Sequence, residues 1–221
     1  MTGLEKLTSL KSLWMGKNKI ERITSVSQMT QLKQLDVQSN RLMFLEGIDT
    51  LPCLEELYLA HNRIQVLGVV DEESVFTSSL PRAATLNTID LSSNGVKSLQ
   101  GIEVQSNLEE LWMSSSSLSD YSELEPLKAL PKLNCLYLEH APLSQLPTYR
   151  ATISTTFSQL DQLDGVDAKK INLPQPPGLD MNSKLKAAME AATKNNGVLK
   201  TSTTKKATVV GGNITTSSSS S

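Results

Sequence analysis

The stretch LEELYLAHNRI, residues 54–64, has apolar residues at positions 1, 4, 6 and 11 and an asparagine at position 9. The same frame, with small variations, begins at five other places: Leu10, Leu32, Leu86, Leu108 and Leu133. Successive starts are separated by 22, 22, 32, 22 and 25 residues. A chain that repeats a frame of this length is expected to fold as a stack of equivalent turns, each contacting only its neighbours.

This frame and period are typical of leucine-rich repeats, in which each repeat supplies one short strand and a return segment. Side chains alternate along a strand, so positions 4 and 6 point into the core while positions 3 and 5 point outward. Apolar spacings of three in the return segments, as in Ile23, Val26 and Met29, indicate 3₁₀-like turns. We therefore predict an α/β solenoid, a leucine-rich-repeat horseshoe with short parallel strands on its concave face and 3₁₀ or turn segments on its convex face.

Position 9 predicts a ladder of buried side-chain hydrogen bonds. An asparagine amide can both donate and accept, so it can satisfy the backbone groups of neighbouring turns that the stack would otherwise bury unpaired. We expect this role to be structural, and we expect looser turns in the last two repeats, where serine and alanine replace asparagine. From the first to the sixth repeat, position 9 is Asn18, Asn40, Asn62, Asn94, Ser116 and Ala141.

The domain organisation follows from where the frame stops. Residues 1–168 are predicted to form a six-repeat solenoid with a C-terminal cap at about 147–168. Residues 169–221, rich in Ser, Thr and Lys, are predicted to be a disordered tail, because they have too little apolar surface to offset the entropy of ordering. The long third interval carries an insertion near residues 71–82, which we expect to form a surface loop.

Charge and composition exclude several function classes. Residues 1–168 have a formal net charge of −8 and residues 169–221 of +6; an acidic body disfavours direct binding of nucleic acid. Neither a secretory signal nor an apolar run of membrane-spanning length is found, and Cys53 and Cys135 lack metal-ligand spacing. We expect an intracellular protein that is not an enzyme, with no catalytic or metal-binding residues and no cofactor.

Position 5 carries the functional prediction. Four of the nine aromatic residues of the chain occupy this single outward row, and large aromatic side chains on a rigid surface commonly anchor protein interfaces. From the first to the sixth repeat the row reads Trp14, Asp36, Tyr58, Asp90, Trp112 and Tyr137. Acidic residues surround it, with Glu56 and Glu110 at position 3 and Glu139 at position 7. We predict that the position 5 row, with Glu56 and Glu110, binds a protein partner.

Five stretches of the chain resemble the protein phosphatase 1 regulatory subunit 7 family, the leucine-rich-repeat regulatory subunits of the type-1 Ser/Thr phosphatase. They are LWMGKNKI (13–20), QSNRL (38–42), ELYLAHNRI (56–64), LEELWMS (108–114) and LYLEHAPL (136–143), the last followed by Tyr149-Arg150. The resemblance covers roughly residues 4–165. Because members of that family have further repeats ahead of the segment matching Leu10, the chain looks short at its N-terminus by comparison.

The resemblance implies that the concave face grips the phosphatase catalytic subunit and modulates its activity or targeting. The positions that match the family's essential acidic and aromatic residues are Glu110, Trp112 and Tyr137, with Asp90 one repeat earlier. Trp14, Asp36, Glu56 and Tyr58 lie on the same predicted surface. The family further implies a nuclear and cytoplasmic protein, which we expect to be monomeric by itself.

An alternative hypothesis is a leucine-rich-repeat scaffold of a nuclear ribonucleoprotein or histone-binding complex. Proteins of that class share the close in which a Tyr-Arg pair is followed by Leu-Asp-Gly, here Tyr149-Arg150 and residues 163–165. Against it, no long acidic tail follows, and the fifth and sixth repeats match the phosphatase regulators better.

Overall fold

Six copies of the frame form six short parallel strands, one per repeat, in a computed structural model. The structure describes residues 3–70, 76–81 and 83–171. All described residues belong to the compact unit Met1–Pro174; a second unit, Gln175–Ser221, lies outside them. The strands are β1 Ser12–Trp14, β2 Gln34–Asp36, β3 Glu56–Tyr58, β4 Gly68–Val70, β5 Phe76–Ser78, β6 Thr88–Asp90, β7 Glu110–Trp112, β8 Cys135–Tyr137, β9 Gln162–Leu163 and β10 Val166–Asp167.

The main sheet has eight strands in the order β1-β2-β3-β6-β7-β8-β9-β10. Pairing is parallel from β1 to β9, and only β9 and β10 pair antiparallel. Three 3₁₀ helices, Ile102–Val104, Tyr121–Ala129 and Pro142–Gln145, lie in the later return segments. The predicted leucine-rich-repeat solenoid is confirmed.

The interior of the stack is filled by leucine and other apolar side chains at positions 1, 4, 6 and 11 of the frame. In the second repeat, Leu32, Leu35, Val37 and Leu42 are all 0% exposed, and burying each such side chain contributes on the order of 1.5–3 kcal/mol. The equivalent residues of the first repeat are only partly buried, because no earlier repeat among the described residues covers them. They are Leu10, Leu13, Met15 and Ile20.

The asparagine ladder has the predicted geometry. The Asn62 Nδ2 donates to the carbonyls of Val37 (3.1 Å) in the preceding repeat and of Leu59 (2.9 Å) in its own, while its Oδ1 accepts from the Leu42 N–H at 2.9 Å. Asn40 and Asn94 repeat this pattern one repeat earlier and one later. Within the described part of the chain, the Asn18 Nδ2 donates only to carbonyls of its own turn, those of Met15 and Gly16.

The ladder ends where asparagine is replaced. The Ser116 hydroxyl is buried without a hydrogen-bond partner among the described residues, because its short side chain does not reach the neighbouring repeat. The turns at Ser116 and Ala141 close instead through their own backbone, each N–H donating at 3.2 Å to the carbonyl three residues earlier.

Position 8 adopts a left-handed conformation in every repeat, which the frame did not predict because none of these residues is glycine. The residues are Lys17, Ser39, His61, Ser93, Ser115 and His140, with φ between 54° and 63°. Such a conformation costs roughly 1–2 kcal/mol for a residue with a Cβ. Ser115 and His140 adopt it although no asparagine follows them, so the conformation of this turn depends on the stacking of the repeats.

The insertion differs from the surface loop that we expected near residues 71–82. Its described part, residues 76–81, includes β5, which pairs antiparallel with β4. Leu80 is fully buried, and the Gln105 Nε2 donates to the Pro81 carbonyl at 2.8 Å. Buried Leu80 and the Gln105 hydrogen bond therefore fasten this segment to the stack, while β4 and β5 form a separate two-stranded sheet; residues 71–75 and 82 lie outside the described residues.

The far end of the stack is covered by α1, Tyr149–Thr156, and by the β9–β10 hairpin. Tyr149, Ile153, Phe157 and Leu160 are buried there, in the segment for which we predicted a cap. The described chain continues through a short 3₁₀ helix, Ala168–Lys170, to residue 171. The rest of the predicted tail, residues 172–221, lies outside the described residues.

Replacing Asn62 by alanine should destabilise the fold by about 1–3 kcal/mol, because the buried Leu42 N–H loses its partner, while the carbonyls of Val37 and Leu59 keep bonds from Asn40 and Asn94. Asn18→Ala is the matched control: Asn18 is exposed and bonds only within its turn, so its loss should be clearly smaller. Urea unfolding of both variants measures the difference. Equal losses would show that the ladder does not couple the repeats.

Candidate protein-binding face

The register of the sheet brings the position 5 side chains into one continuous row. Each strand pairs in step with the next, so that the residues oppose one another across five successive strand pairs. The row runs Trp14, Asp36, Tyr58, Asp90, Trp112, Tyr137. Five members are partly exposed and Trp14 is exposed, while the apolar residues on either side of them point into the core.

Three aromatic rings form a cluster within this row. The centroids of Tyr58 and Trp112 are 6.2 Å apart, and those of Trp112 and Tyr137 are 6.3 Å apart in an edge-to-face arrangement. Strands β3 and β7 are separated by β6, which corresponds to about 9.6 Å between their backbones. The Tyr58 and Trp112 rings therefore lean towards each other across the strand that carries Asp90.

Trp14 stands apart from this cluster. It belongs to the first strand, next to Asp36, and is 73% exposed. Sequence position alone groups it with the other aromatics, whereas the structure separates one exposed indole from a Trp112 ring that contacts both Tyr58 and Tyr137.

The two acidic residues at position 3, Glu56 and Glu110, differ in their hydrogen bonding. The Glu56 carboxylate accepts from the Tyr58 hydroxyl and from the Gln34 Nε2, both at 2.8 Å, and is therefore fixed beside the cluster. Glu110 has neither a hydrogen bond nor an ion pair to its side chain among the described residues. Gln34 is a supporting residue that the frame did not single out; its place at position 3 is the signal that could have found it.

The two aspartates of the row are partly engaged in their own turns. Asp36 accepts from the Gln38 N–H at 3.0 Å and from its Nε2 at 2.8 Å. Asp90 accepts from the Ser92 N–H at 2.9 Å through one oxygen. These bonds orient both carboxylates.

The concave face carries uncompensated negative charge. Positions 3, 5 and 7 of the six repeats contain five carboxylates and no Lys, Arg or His. Among the described residues no ion pair involves Asp36, Glu56, Asp90 or Glu110, and Glu139 lies only loosely near Arg150, at 3.9 Å. A cation supplied from outside would therefore be attracted to this face.

Burial and nearby negative charge raise the pKa values of the two tyrosines of the cluster. Burial, followed by the hydrogen bond to Glu56 and the charges of Glu56, Glu110 and Asp90, raises the pKa of Tyr58 to about 12. Burial also raises the pKa of Tyr137, whose hydroxyl oxygen approaches the cap so closely that a Cβ on Gly165 would lie 3.4 Å from it. Both tyrosines are neutral hydrogen-bonding groups at physiological pH.

Other reactive groups do not converge within the described part of the chain. No group of three or more His, Cys, Asp and Glu residues there is arranged to hold a metal ion. Cys53 and Cys135 are free thiols; Cys135, at position 3 of the sixth repeat, lies buried beside the aromatic row, and burial raises its pKa. None of the helices in residues 3–70, 76–81 and 83–171 has the length and apolar character that crossing a bilayer requires.

Comparison with known proteins agrees with the architecture. Residues 50–71 match the family model described as Leucine Rich repeat. The chain is 40% identical over 78 residues to mouse Serine/threonine-protein kinase 11-interacting protein and 37% identical over 78 residues to the human protein. Each match covers 35% of this chain and 7% of the relative.

Two solved structures share the fold. An internalin from Listeria monocytogenes superposes with a TM-score of 0.54 at 20% identity, covering 73% of this chain and 43% of that one. A leucine-rich-repeat protein of Leptospira interrogans gives 0.57 at 24% identity, covering 73% and 38%. The frame, the stacked strands and these similarities define the chain as a leucine-rich-repeat protein.

Replacing Glu56 by glutamine should lower the pKa of Tyr58 from about 12 towards 10, because the variant removes the charge that opposes ionisation of the phenol. Ultraviolet absorbance of tyrosinate, compared with a Tyr58→Phe spectrum at each pH, isolates this group. A raised folded-state pKa also means that Tyr58 contributes stability that is lost as pH rises from about 10 to about 12. An unchanged titration in Glu56→Gln would show that burial alone sets the pKa.

Proposed function

We propose that this chain is a non-catalytic regulatory subunit that binds a protein partner on its concave face. The observation that carries the proposal is the contact cluster of Tyr58, Trp112 and Tyr137, beside the carboxylates of Glu56, Asp90 and Glu110, which form no ion pair among the described residues. Aromatic anchors on a rigid sheet provide contact area at little entropic cost. The surrounding charge favours a partner surface that is basic and partly apolar.

The partner that we propose is the catalytic subunit of protein phosphatase 1, whose activity or targeting the chain would modulate. The support is the resemblance described above, whose matching residues Asp90, Glu110, Trp112 and Tyr137 lie on the three adjacent strands β6, β7 and β8. On this proposal the chain is monomeric until it meets the phosphatase and acts in the nucleus and cytoplasm.

A second candidate partner is a Ser/Thr protein kinase. The mouse and human relatives are named for interaction with serine/threonine kinase 11, and their similarity to this chain lies over 78 residues. Because the match spans 7% of those relatives, we treat the kinase as a competing candidate and include it in the binding test.

The ribonucleoprotein or histone scaffold stays a weaker alternative. Its supporting motif, the Leu-Asp-Gly close, has an architectural role: Leu163 is fully buried, and Asp164 accepts from the Leu138 N–H at 2.8 Å. A residue set that caps the stack does not by itself discriminate between partners.

The test immobilises the purified phosphatase catalytic subunit and the purified kinase and measures binding of the full chain to each. We expect binding to the phosphatase, weakened about thirtyfold or more by Trp112→Ala or Tyr137→Ala, because loss of a central aromatic anchor costs about 2 kcal/mol or more. Phe44→Ala is the matched control, since Phe44 is an aromatic residue that is 57% exposed and lies outside the concave sheet.

Each other outcome rejects part of the proposal. Binding to the kinase alone would replace the phosphatase as partner while keeping the concave face. Binding that Trp112→Ala and Phe44→Ala weaken equally would reject the concave face. Failure of both baits, together with RNA-dependent co-purification of the chain, would favour the ribonucleoprotein alternative.

A further inference from the structure

Within the concave face, Asp90 lies where aromatic and acidic side chains come together. In the register of the sheet Asp90 lies directly between Tyr58 and Trp112, the two residues whose rings approach to 6.2 Å. Glu110, which neighbours Asp90's strand and has no bonded partner among the described residues, adds a second carboxylate. The arrangement combines an aromatic pair with two unpaired negative charges.

The backbone fixes Asp90 so that one oxygen faces its own turn. That oxygen accepts from the Ser92 N–H at 2.9 Å, and no hydrogen bond or ion pair within residues 3–70, 76–81 and 83–171 uses the other. The carboxylate is thus oriented before any ligand arrives, which lowers the entropic cost of binding.

A metal ion would not satisfy this charge, because no group of three or more potential ligands converges among the described residues. An anion such as phosphate would be repelled by Asp90 and Glu110. The chemistry that fits is an organic cation, which can contact an aromatic face and a carboxylate at once.

Between the two basic side chains, the guanidinium of arginine fits better than the ammonium of lysine. A guanidinium is planar and weakly hydrated, stacks on aromatic rings and donates two parallel hydrogen bonds to a carboxylate. An ammonium is a strongly hydrated point charge that would lose more solvation beside Tyr58 and Trp112.

We propose that the concave face recognises an arginine side chain of its partner, which stacks on the Tyr58–Trp112 pair and pairs with Asp90, with Glu110 as a supporting charge. The inference rests on the proposed function and deepens it, since it specifies the residue that a partner presents. The charges of Asp90 and Glu110, which already oppose ionisation of Tyr58, would be offset in part by that guanidinium.

The test titrates the ¹⁵N-labelled full chain with N-acetyl-arginine amide, N-acetyl-lysine amide and the neutral isostere N-acetyl-citrulline amide. The chain has two tryptophans, Trp14 and Trp112, so their indole N–H signals give a reporter and an internal reference. We expect a saturable shift at Trp112 with arginine, about fivefold weaker binding with lysine, and none with citrulline.

Asp90→Asn should weaken the arginine titration about fivefold or more, since it removes the paired charge but keeps the size of the side chain. Asp49→Asn, an exposed aspartate away from the sheet, is the matched control and should leave it unchanged. Equal binding of arginine and lysine, a citrulline response equal to that of arginine, or equal shifts at Trp14 and Trp112 would each overturn the proposal.

Because the probes are amino-acid derivatives, the titration is independent of the protein baits. A negative titration with positive phosphatase binding would reject the arginine while keeping the proposed function. A positive titration with no bait bound would keep the site and reject the named partners.

Discussion

Each repeat of this protein depends on its neighbours to satisfy backbone groups that it cannot satisfy itself. The turn from strand to return segment buries carbonyls and N–H groups, and the position 9 asparagine connects those of one repeat to those of the next, as Asn62 does for Val37 and Leu42. An unpaired buried group of this kind costs about 1–3 kcal/mol, comparable to burial of a leucine. Hydrogen bonding between repeats is therefore as much a condition of the fold as the leucine core.

That condition also explains the conformations that the turns tolerate. Six residues with a Cβ occupy the left-handed region at position 8, a strain that an isolated turn would relieve by changing shape. Strand pairing and stacking hold the backbone there in all six repeats, since Ser115 and His140 keep this conformation where no asparagine follows. The same rigidity fixes the register of the strands and gives the outward row its order.

Charge then gives the rigid face its chemical character. The apolar residues of each strand face the core. Positions 3, 5 and 7 together hold five carboxylates and no Lys, Arg or His. Asp36, Asp90 and Glu56 are oriented by hydrogen bonds to Gln38, Ser92, Tyr58 and Gln34. A preorganised acidic and aromatic surface is consistent with recognition of a basic partner, and this is the basis of the phosphatase proposal and of the inferred arginine.

The sequence by itself determined the solenoid, the inward and outward positions and the asparagine ladder, because each follows from a local frame that recurs along the chain. Only the tertiary structure decided that Tyr58, Trp112 and Tyr137 touch while Trp14 stands apart, because ring contacts depend on how side chains lean across an intervening strand. It also decided that the insertion contributes a paired strand with Leu80 in the core. The ring contact of Tyr58 with Trp112 joins residues distant in sequence that meet only in the stack, and the β4–β5 pairing lies in an insertion outside the repeat frame, so the local frame records neither.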